Sequence, residues 1–339
     1  MKFRLLYLRI TRFEFWPYWL FYLPTVPYFI YLMIKKRNTT FFTNVNPAIY
    51  LSGIVGESKE EILRHIPSKY KAKSILLKKA TISDDEIILK VKQEFTYPLI
   101  VKPNVGERGE GVEKVYDDVQ LLRIIKKHPI DFILQEFIDY EYEFGVMYYR
   151  IPNTSEYAVT SIVEKGFLKV VGDGRLSVKE LLQQNYRAVF VWDYLKEHLD
   201  DTWYMIPKAG EIIYPQPIGN HSKGTMFIDA THLINPKVND LFNGIVKDYN
   251  GFNYGRFDVK VKQLDDLETG EHLRIMELNG VSSEPAHIYD PKMSLYKAYA
   301  SIFKHYKIIS RISIANSNLG FKPVSWKSFW NLLKAHYNS

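Results

Sequence analysis

Cysteine is absent from all 339 residues of this chain. That excludes disulfides, thiolate zinc centres and cysteine nucleophiles together, and a cytoplasmic setting is the expectation. The first residues lack the series of short basic region, apolar core and small-residue cleavage site, so no secretory signal is expected. Internal repeats and low-complexity segments are also missing. Aromatic residues, in contrast, are plentiful: 25 Tyr and 20 Phe bring the aromatic share to 15%, which argues against disorder. The length suffices for a large core in two or three lobes. A net charge of +7 favours acidic partners such as nucleotides, anionic lipid head groups or nucleic acid. Its lysines do not cluster with exposed aromatics in any nucleic-acid module, so nucleic acid is not expected among the partners.

Residues 1–55 differ from the rest. Segment 16–34 is uncharged and densely aromatic; Arg9, Arg12 and Glu14 precede it, and Lys35, Lys36 and Arg37 follow. As one helix it would span roughly 28 Å, close to a bilayer core. Pro24 and Pro27 oppose that, since each costs about 3 kcal/mol or more in a helix interior and a lone span has no neighbours to satisfy the freed carbonyls. Of three readings, a span is therefore the least favoured, and two others stand beside it. Residues 16–37 lie at a lipid interface, which would place the protein at the inner membrane surface, or they form an aromatic arm packed on the chain's own core or on a partner subunit.

Beyond this region the patterns predict a helix over 56–67, with Ser58 and Glu61 as a capping box and Pro67 as its stop, and a second helix over 84–95. Strands follow over 97–103 and 111–116, then a helix over 117–127 and a strand over 132–138. Strands and turns alternate to about residue 171, with helices expected over 178–184 and 236–249. Two further strands occupy 255–261 and 273–280, and a basic helical tail follows residue 293. The expected division is 1–55 as the aromatic region, 56–145 as a small lobe, 146–310 as a large lobe and 311–339 as the tail.

Three constellations carry chemistry. Gly106, Gly109 and Gly111 lie between the strands at 97–103 and 111–116, with Lys102 ending the first. Glycines let backbone N–H groups approach phosphate oxygens, and Lys102 would add an ammonium beside them. This is not a Walker loop, which needs GxxxxGK before a helix; it reads as a glycine flap over a nucleotide, or as an ordinary hairpin. Next, Gln135, Glu136, Phe137 and Ile138 can offer backbone groups and apolar faces to a purine, with Glu143 for ribose hydroxyls. An amphipathic strand with exposed acids fits the same residues. Last come the strands GRFDVKV and LRIMELNG. Residues two apart share a strand face, so Arg256 goes with Asp258 on one face and Glu277 with Asn279 on another. Two carboxylates about 4 Å apart repel by roughly 4 kcal/mol at an effective dielectric near 20, and a divalent cation reverses that sign. Mg²⁺ prefers few carboxylates and shares its shell with phosphate oxygens, which suits Asp258, Glu277 and Asn279. Arg256 would neutralise a transferring phosphoryl group. A surface salt-bridge ladder is the alternative.

The order Lys–Gly loop, QEFI…E, GRFDV and ELN resembles the ATP-grasp superfamily. It is most similar to the D-alanine–D-alanine ligases, the cyanophycin synthetases and the glutamate ligases that modify a ribosomal protein. The segment GDGRLSVKELL, residues 172–182, is similar to the GDG segment of the latter two. The likeness covers about residues 56–300. It implies an α+β fold of two lobes clasping ATP, with Mg²⁺ or Mn²⁺, and amide formation between small-molecule or peptide carboxylate and amine substrates through an acyl phosphate. It implies that Lys59 and Lys102 bind ATP phosphates, although Ser58 stands where the family's Asp usually precedes the first lysine. Gln135, Phe137 and Ile138 would hold adenine and Glu143 ribose; Asp258, Glu277 and Asn279 would bind the metal; Arg256 would contact phosphate and the reacting carboxylate. Two features depart from the family: only residues 1–55 precede the capped helix, where the family usually carries a Rossmann-like domain that helps form the acceptor site, and ELNGVSSEP differs from the ligases' longer glycine-containing loop. With so short a front end, a nucleotide-binding module without turnover is the alternative function. His221 and Lys223 are candidates for a substrate loop, or solvated residues of a polar one.

Overall fold

A computed structural model describes residues 2–78, 83–106, 110–128, 130–215 and 224–338. Gly109, His221 and Lys223 lie outside the described residues.

Two antiparallel sheets carry the α+β fold, and strand alternation decides what each presents. In the smaller, β1 (Ser74–Leu77), β2 (Leu99–Pro103), β3 (Glu113–Val115) and β4 (Phe132–Glu136) run in the order β1-β4-β2-β3. Leu99, Val101, Phe132 and Leu134 bury against Ile87 and Val91 of the helix Asp84–Glu94 and Leu121 and Ile124 of the helix Asp118–Lys127. The alternate residues Ile100, Lys102, Ile133 and Gln135 therefore face the other way. Both helices start on side-chain caps: Ser83 and Asp117 accept from the N–H groups of Glu86 and Gln120, satisfying amides that have no partner inside the helix.

The larger sheet joins β5 (Tyr142–Arg150), β6 (Tyr157–Gly166), β9 (Met226–Asp229), β10 (Tyr254–Val261) and β11 (Leu273–Asn279) in the order β11-β10-β5-β6-β9. Phe144, Val146, Tyr148, Phe257 and Val259 form its apolar face, covered by Val238, Phe242 and Ile245 of the helix Pro236–Ile245. Each such buried side chain contributes roughly 1.5–3 kcal/mol, so this face fixes the sheet and leaves the opposite one free for polar groups. The covering helix ends at Ile245, short of the expected 249, because the chain must turn to bring Tyr249 and Phe252 into the same core. Between β6 and β9, the short pair β7 (Val170–Val171) and β8 (Ile212–Ile213) packs with helices Val178–Gln184 and Trp192–His198 around Leu182, Leu195 and Trp203.

Residues 16–34 do not form one helix. Helices Tyr18–Tyr22 and Val26–Lys36 flank a 3₁₀ turn, Leu23–Thr25. Pro24 and Pro27 sit in the first turns of the latter two elements, where a missing N–H costs no helical hydrogen bond. Among the described residues no helix is long and apolar enough to cross a membrane. Phe21, Leu32, Phe41 and Val45 pack on Ala298, Ile302, Ile308 and Ile312 of the long helix Leu295–Asn318. One side of the arm is thus core. A buried ion pair, Arg187 Nη1 to Glu14 Oε2 at 2.6 Å, ties the arm to the β7–β8 unit.

Candidate functional site

The pairing of β10 with β11 sets Arg256 opposite Asn279 and Asp258 opposite Glu277. Both residue pairs consequently share one face of the sheet, the one turned away from the helix Pro236–Ile245; the expectation of two separate faces is corrected by the register. That register slips just after Asp258, where Val259 pairs with Ile275 and Met276 is passed over. A bulge of this kind frees a backbone group from the ladder. Here the Met276 carbonyl accepts from Lys102 Nζ at 3.0 Å and from Gln135 Nε2 at 3.3 Å. The polar faces of the two sheets meet at this point.

Asp258 is buried, with Oδ1 accepting from Arg256 Nε at 2.9 Å and Oδ2 from Lys165 Nζ at 3.0 Å. Burial alone would raise its pKa; Arg256 and Lys165 outweigh that and hold it at about 2. Lys165 also donates to Glu143 Oε1 at 2.8 Å. Burial works against its charge, but Asp258 and Glu143 keep its pKa above the ordinary lysine value. Arg256 lies across β5 over Gly145, where an added Cβ would stand 3.2 Å from Arg256 Cδ and 2.9 Å from Val163 Cγ1. Only glycine leaves that path open.

Lys59 begins the helix Lys59–Arg64, whose N-cap Ser58 accepts from Glu61 N–H. Its Nζ donates to the Gly106 carbonyl and stands 3.8 Å from Glu277 Oε1. Asn104 Oδ1 accepts from Ser58 Oγ and Glu60 N–H, both at 3.1 Å, and so fastens this helix to the start of the glycine loop. Lys102 is buried and also donates to Gln135 Oε1 at 3.1 Å. Burial lowers its pKa to about 8, opposed by the charge of Glu277 and aided by that of Lys59.

The residues expected around a purine are placed as follows. Gln135 is engaged in orienting Lys102, and Glu136 Oε1 accepts from Lys73 N–H at 2.7 Å. The Phe137 ring has Lys114 Nζ 3.5 Å and Lys260 Nζ 5.2 Å from its centroid. Lys260 Nζ donates to the Ile138 carbonyl at 2.9 Å. Glu143 stays beside this group but spends one oxygen on Lys165. Gly106 and Gly111 lie among the described residues, both with positive φ, and Gly109 lies outside them.

The structure therefore gathers Lys59, Lys102, Arg256, Asp258, Glu277 and Asn279, adds Lys165, and joins Gln135 and Glu143 to them through Lys102 and Lys165, while Phe137 and Ile138 group with Lys260. Lys165 was not singled out from the sequence. Its inward position on β6 is readable from alternation, but its neighbours on β5 and β10 are not. The donor set fits a small divalent cation: three oxygen-bearing side chains share one sheet face, and each carboxylate oxygen offers about two acceptor positions, so Asp258 keeps capacity beyond its two cationic donors. Among the described residues Asp266, Glu271 and His272 bring three ligand atoms within 4.8 Å of one another. They lie in the turn between β10 and β11, at the far end of the hairpin.

No protein family's sequence profile matches the chain, and no curated protein matches it in sequence. In structure it is similar to a bifunctional glutathione synthetase from Pasteurella multocida, with TM-score 0.37 and 14% identity over 73% of this chain and 36% of that one. It is also similar to a D-Ala:D-Ser ligase from Enterococcus faecalis, with TM-score 0.42 and 14% identity over 81% and 64%. A third likeness is to a D-alanine–D-alanine ligase from Bacillus anthracis complexed with ATP, with TM-score 0.40 and 16% identity over 83% and 70%. The chain thus spans little more than a third of the first protein's length and just under two thirds of the second's. At these scores the likenesses carry no weight for activity, which rests on the chain's own residues.

Proposed function

We propose that this chain is an ATP-grasp ligase that joins a carboxylate to an amine at the expense of ATP. The observation that carries the reading is the meeting of Lys102 with the β11 bulge beside Glu277, which brings the lysine of the glycine loop to the carboxylate face. Lys59 and Lys102 would hold the phosphates from the small sheet, and Arg256 from the large one. Asp258, Glu277 and Asn279 would hold Mg²⁺ or Mn²⁺, which supplies charge neutralisation at the phosphates when bound. Lys165 keeps Asp258 ionised and its carboxylate fixed.

In the first step an oxygen of the substrate carboxylate attacks the γ-phosphorus in line, and ADP leaves with the electron pair of the broken P–O bond. The nitrogen of the amine then attacks the acyl carbon, and inorganic phosphate leaves with the C–O pair. The protons shed by the nitrogen go to phosphate and solvent. Preorganised positive charge and positioning supply most of the rate. No protein nucleophile is required, in keeping with a chain free of cysteine. ADP release in the presence of each of a panel of amino acids and dipeptides tests the proposal. Stimulation by a carboxylate–amine pair supports it, whereas ATP binding without ADP release under any combination favours the module without turnover.

The Lys102 ammonium is the form that attracts phosphate. With its pKa lowered to about 8, kcat/KM for ATP is expected to fall as pH rises through that value, because the free enzyme loses the charge there. Lys102→Met should lose both most of the rate and this limb. A wild-type profile that stays flat over roughly pH 7 to 9 would oppose a phosphate role for Lys102.

We also propose that the arm rests on an anionic bilayer surface. Leu23, Val26, Ile30 and Ile34 are exposed along one side of the Val26–Lys36 helix and the turn before it, Tyr18 and Trp19 are exposed ahead of them, and Lys35, Lys36 and Arg37 end the stripe. A helix apolar on its solvent side as well as its core side suits an interfacial position. The wild-type chain is expected to co-sediment with phosphatidylglycerol vesicles, and a Leu23→Ser, Ile30→Ser, Ile34→Ser variant to stay in the supernatant. Equal partitioning of the two would remove the proposal.

A further inference from the structure

The loop that leaves β11 carries Glu284, and the aromatic arm reaches it. Tyr22 Oη donates to Glu284 Oε1, and Tyr289 Oη lies 3.1 and 3.0 Å from its two oxygens. Burial first, and the Glu284 charge second, push the pKa of both phenols well up. They are therefore neutral donors, which orient the carboxylate without cancelling its charge. Ser283, the residue before it, sets its Oγ 4.0 Å from Met147 Sδ, and Met147 pairs with Arg256 across β5 and β10, so this loop passes the arginine end of the carboxylate face. The Glu284 charge adds there to those of Asp258 and Glu277 in favouring the charged form of Arg256.

The contact between arm and loop is built in. Val281 and Ser282 donate their N–H groups to the carbonyls of Ser52 and Gly53 at 2.9 and 3.0 Å. Gly280 and Gly53 touch so closely that a Cβ on Gly53 would lie 2.6 Å from the Gly280 Cα. The N-terminal region therefore holds this loop directly.

An amine substrate arrives as a cation at neutral pH. Lys59, Lys102 and Arg256, which suit phosphate, repel it. A carboxylate beside Arg256 and outside the proposed metal set is the group that can draw an ammonium to the acyl carbon. We propose that Glu284, fixed by Tyr22 and Tyr289, binds the ammonium of the acceptor substrate, so that the aromatic arm supplies one wall of the acceptor site. The acceptor class is a primary amine carried as a cation. This inference rests on the ligase reading.

The test titrates alaninamide, an amine with its carboxyl blocked, into the full chain loaded with a non-hydrolysable ATP analogue and Mg²⁺. N-acetylalanine, which has the carboxyl and no amine, runs in parallel. Glu284→Gln is expected to weaken alaninamide binding about tenfold or more, the size of a lost hydrogen bond to a charged group. It should leave the affinities for the analogue and for N-acetylalanine as they were. Tyr22→Phe keeps the ring packing and should weaken alaninamide about threefold or more, which provides a second reading if the glutamine variant does not fold. Equal alaninamide affinity in wild type and variants, or none in the loaded wild type, overturns the acceptor assignment and leaves the ligase reading standing. Failure of the analogue to bind at all overturns both.

Discussion

Asp258→Asn is expected to lower ATP-dependent product formation by at least about a hundredfold, the usual effect of removing one preorganised charged contact, while the protein still folds. The reason lies in what the aspartate touches. Its two oxygens take Arg256 and Lys165 at 2.9 and 3.0 Å, and it stands opposite Glu277 across the β10–β11 pairing. Asparagine keeps the shape and one acceptor for Arg256, but it withdraws the charge that the proposed metal set needs. Lys165 would not be stranded, because Glu143 remains 2.8 Å away. Glu277→Gln should lose a similar factor with even less effect on folding, since the Glu277 side chain is 30% exposed and its nearest cation, Lys59, is 3.8 Å off. Initial rates of ADP release together with thermal unfolding of each variant check this. A full-rate Asp258→Asn enzyme would remove Asp258 from the metal set.

The largest effect on stability is expected at Glu14→Ala. Glu14 and Arg187 pair at 2.6 Å with side chains only 2% and 6% exposed. Arg187 also donates to the carbonyls of Thr225 and Gly224, which keeps the guanidinium buried whatever happens to its partner. Taking away one member of such a pair leaves an uncompensated buried charge and costs about 3–5 kcal/mol. Replacing both members, Glu14→Leu with Arg187→Met, should recover most of that loss, because a packed apolar pair avoids the desolvation of two ions. Denaturant unfolding of the two single variants and the double variant measures it. If Glu14→Ala unfolds at the wild-type midpoint, the arm is not held by this pair.

Much of the fold was legible because the informative signals are local. Ser83, Asp117 and Ser177 cap helices at the boundaries that their residue types suggest, and the Val178–Gln184 helix has the extent expected. Alternation within 255–261 and 273–280 marked Arg256, Asp258, Glu277 and Asn279 as a set. It could not say that the two strands pair directly, nor that a bulge at Met276 would present a carbonyl to Lys102, because register belongs to the pairing and not to either strand. Lys165 was invisible for the same reason: it sits two strands from β10 in the sheet and far from it along the chain. The prolines at 24 and 27 announced a broken helix but not where its pieces would dock. The junction of Tyr22 with Glu284 depends on that docking, so a single sequence contains no local trace of it.

The most direct measurement is anomalous diffraction from crystals grown with Mn²⁺ and a non-hydrolysable ATP analogue. The expected result is a manganese peak ligated by Asp258, Glu277 and Asn279, with the triphosphate running from it to the ammonium groups of Lys102 and Lys59. A nucleotide bound away from Lys102, or manganese confined to the Asp266, Glu271 and His272 turn, would contradict it.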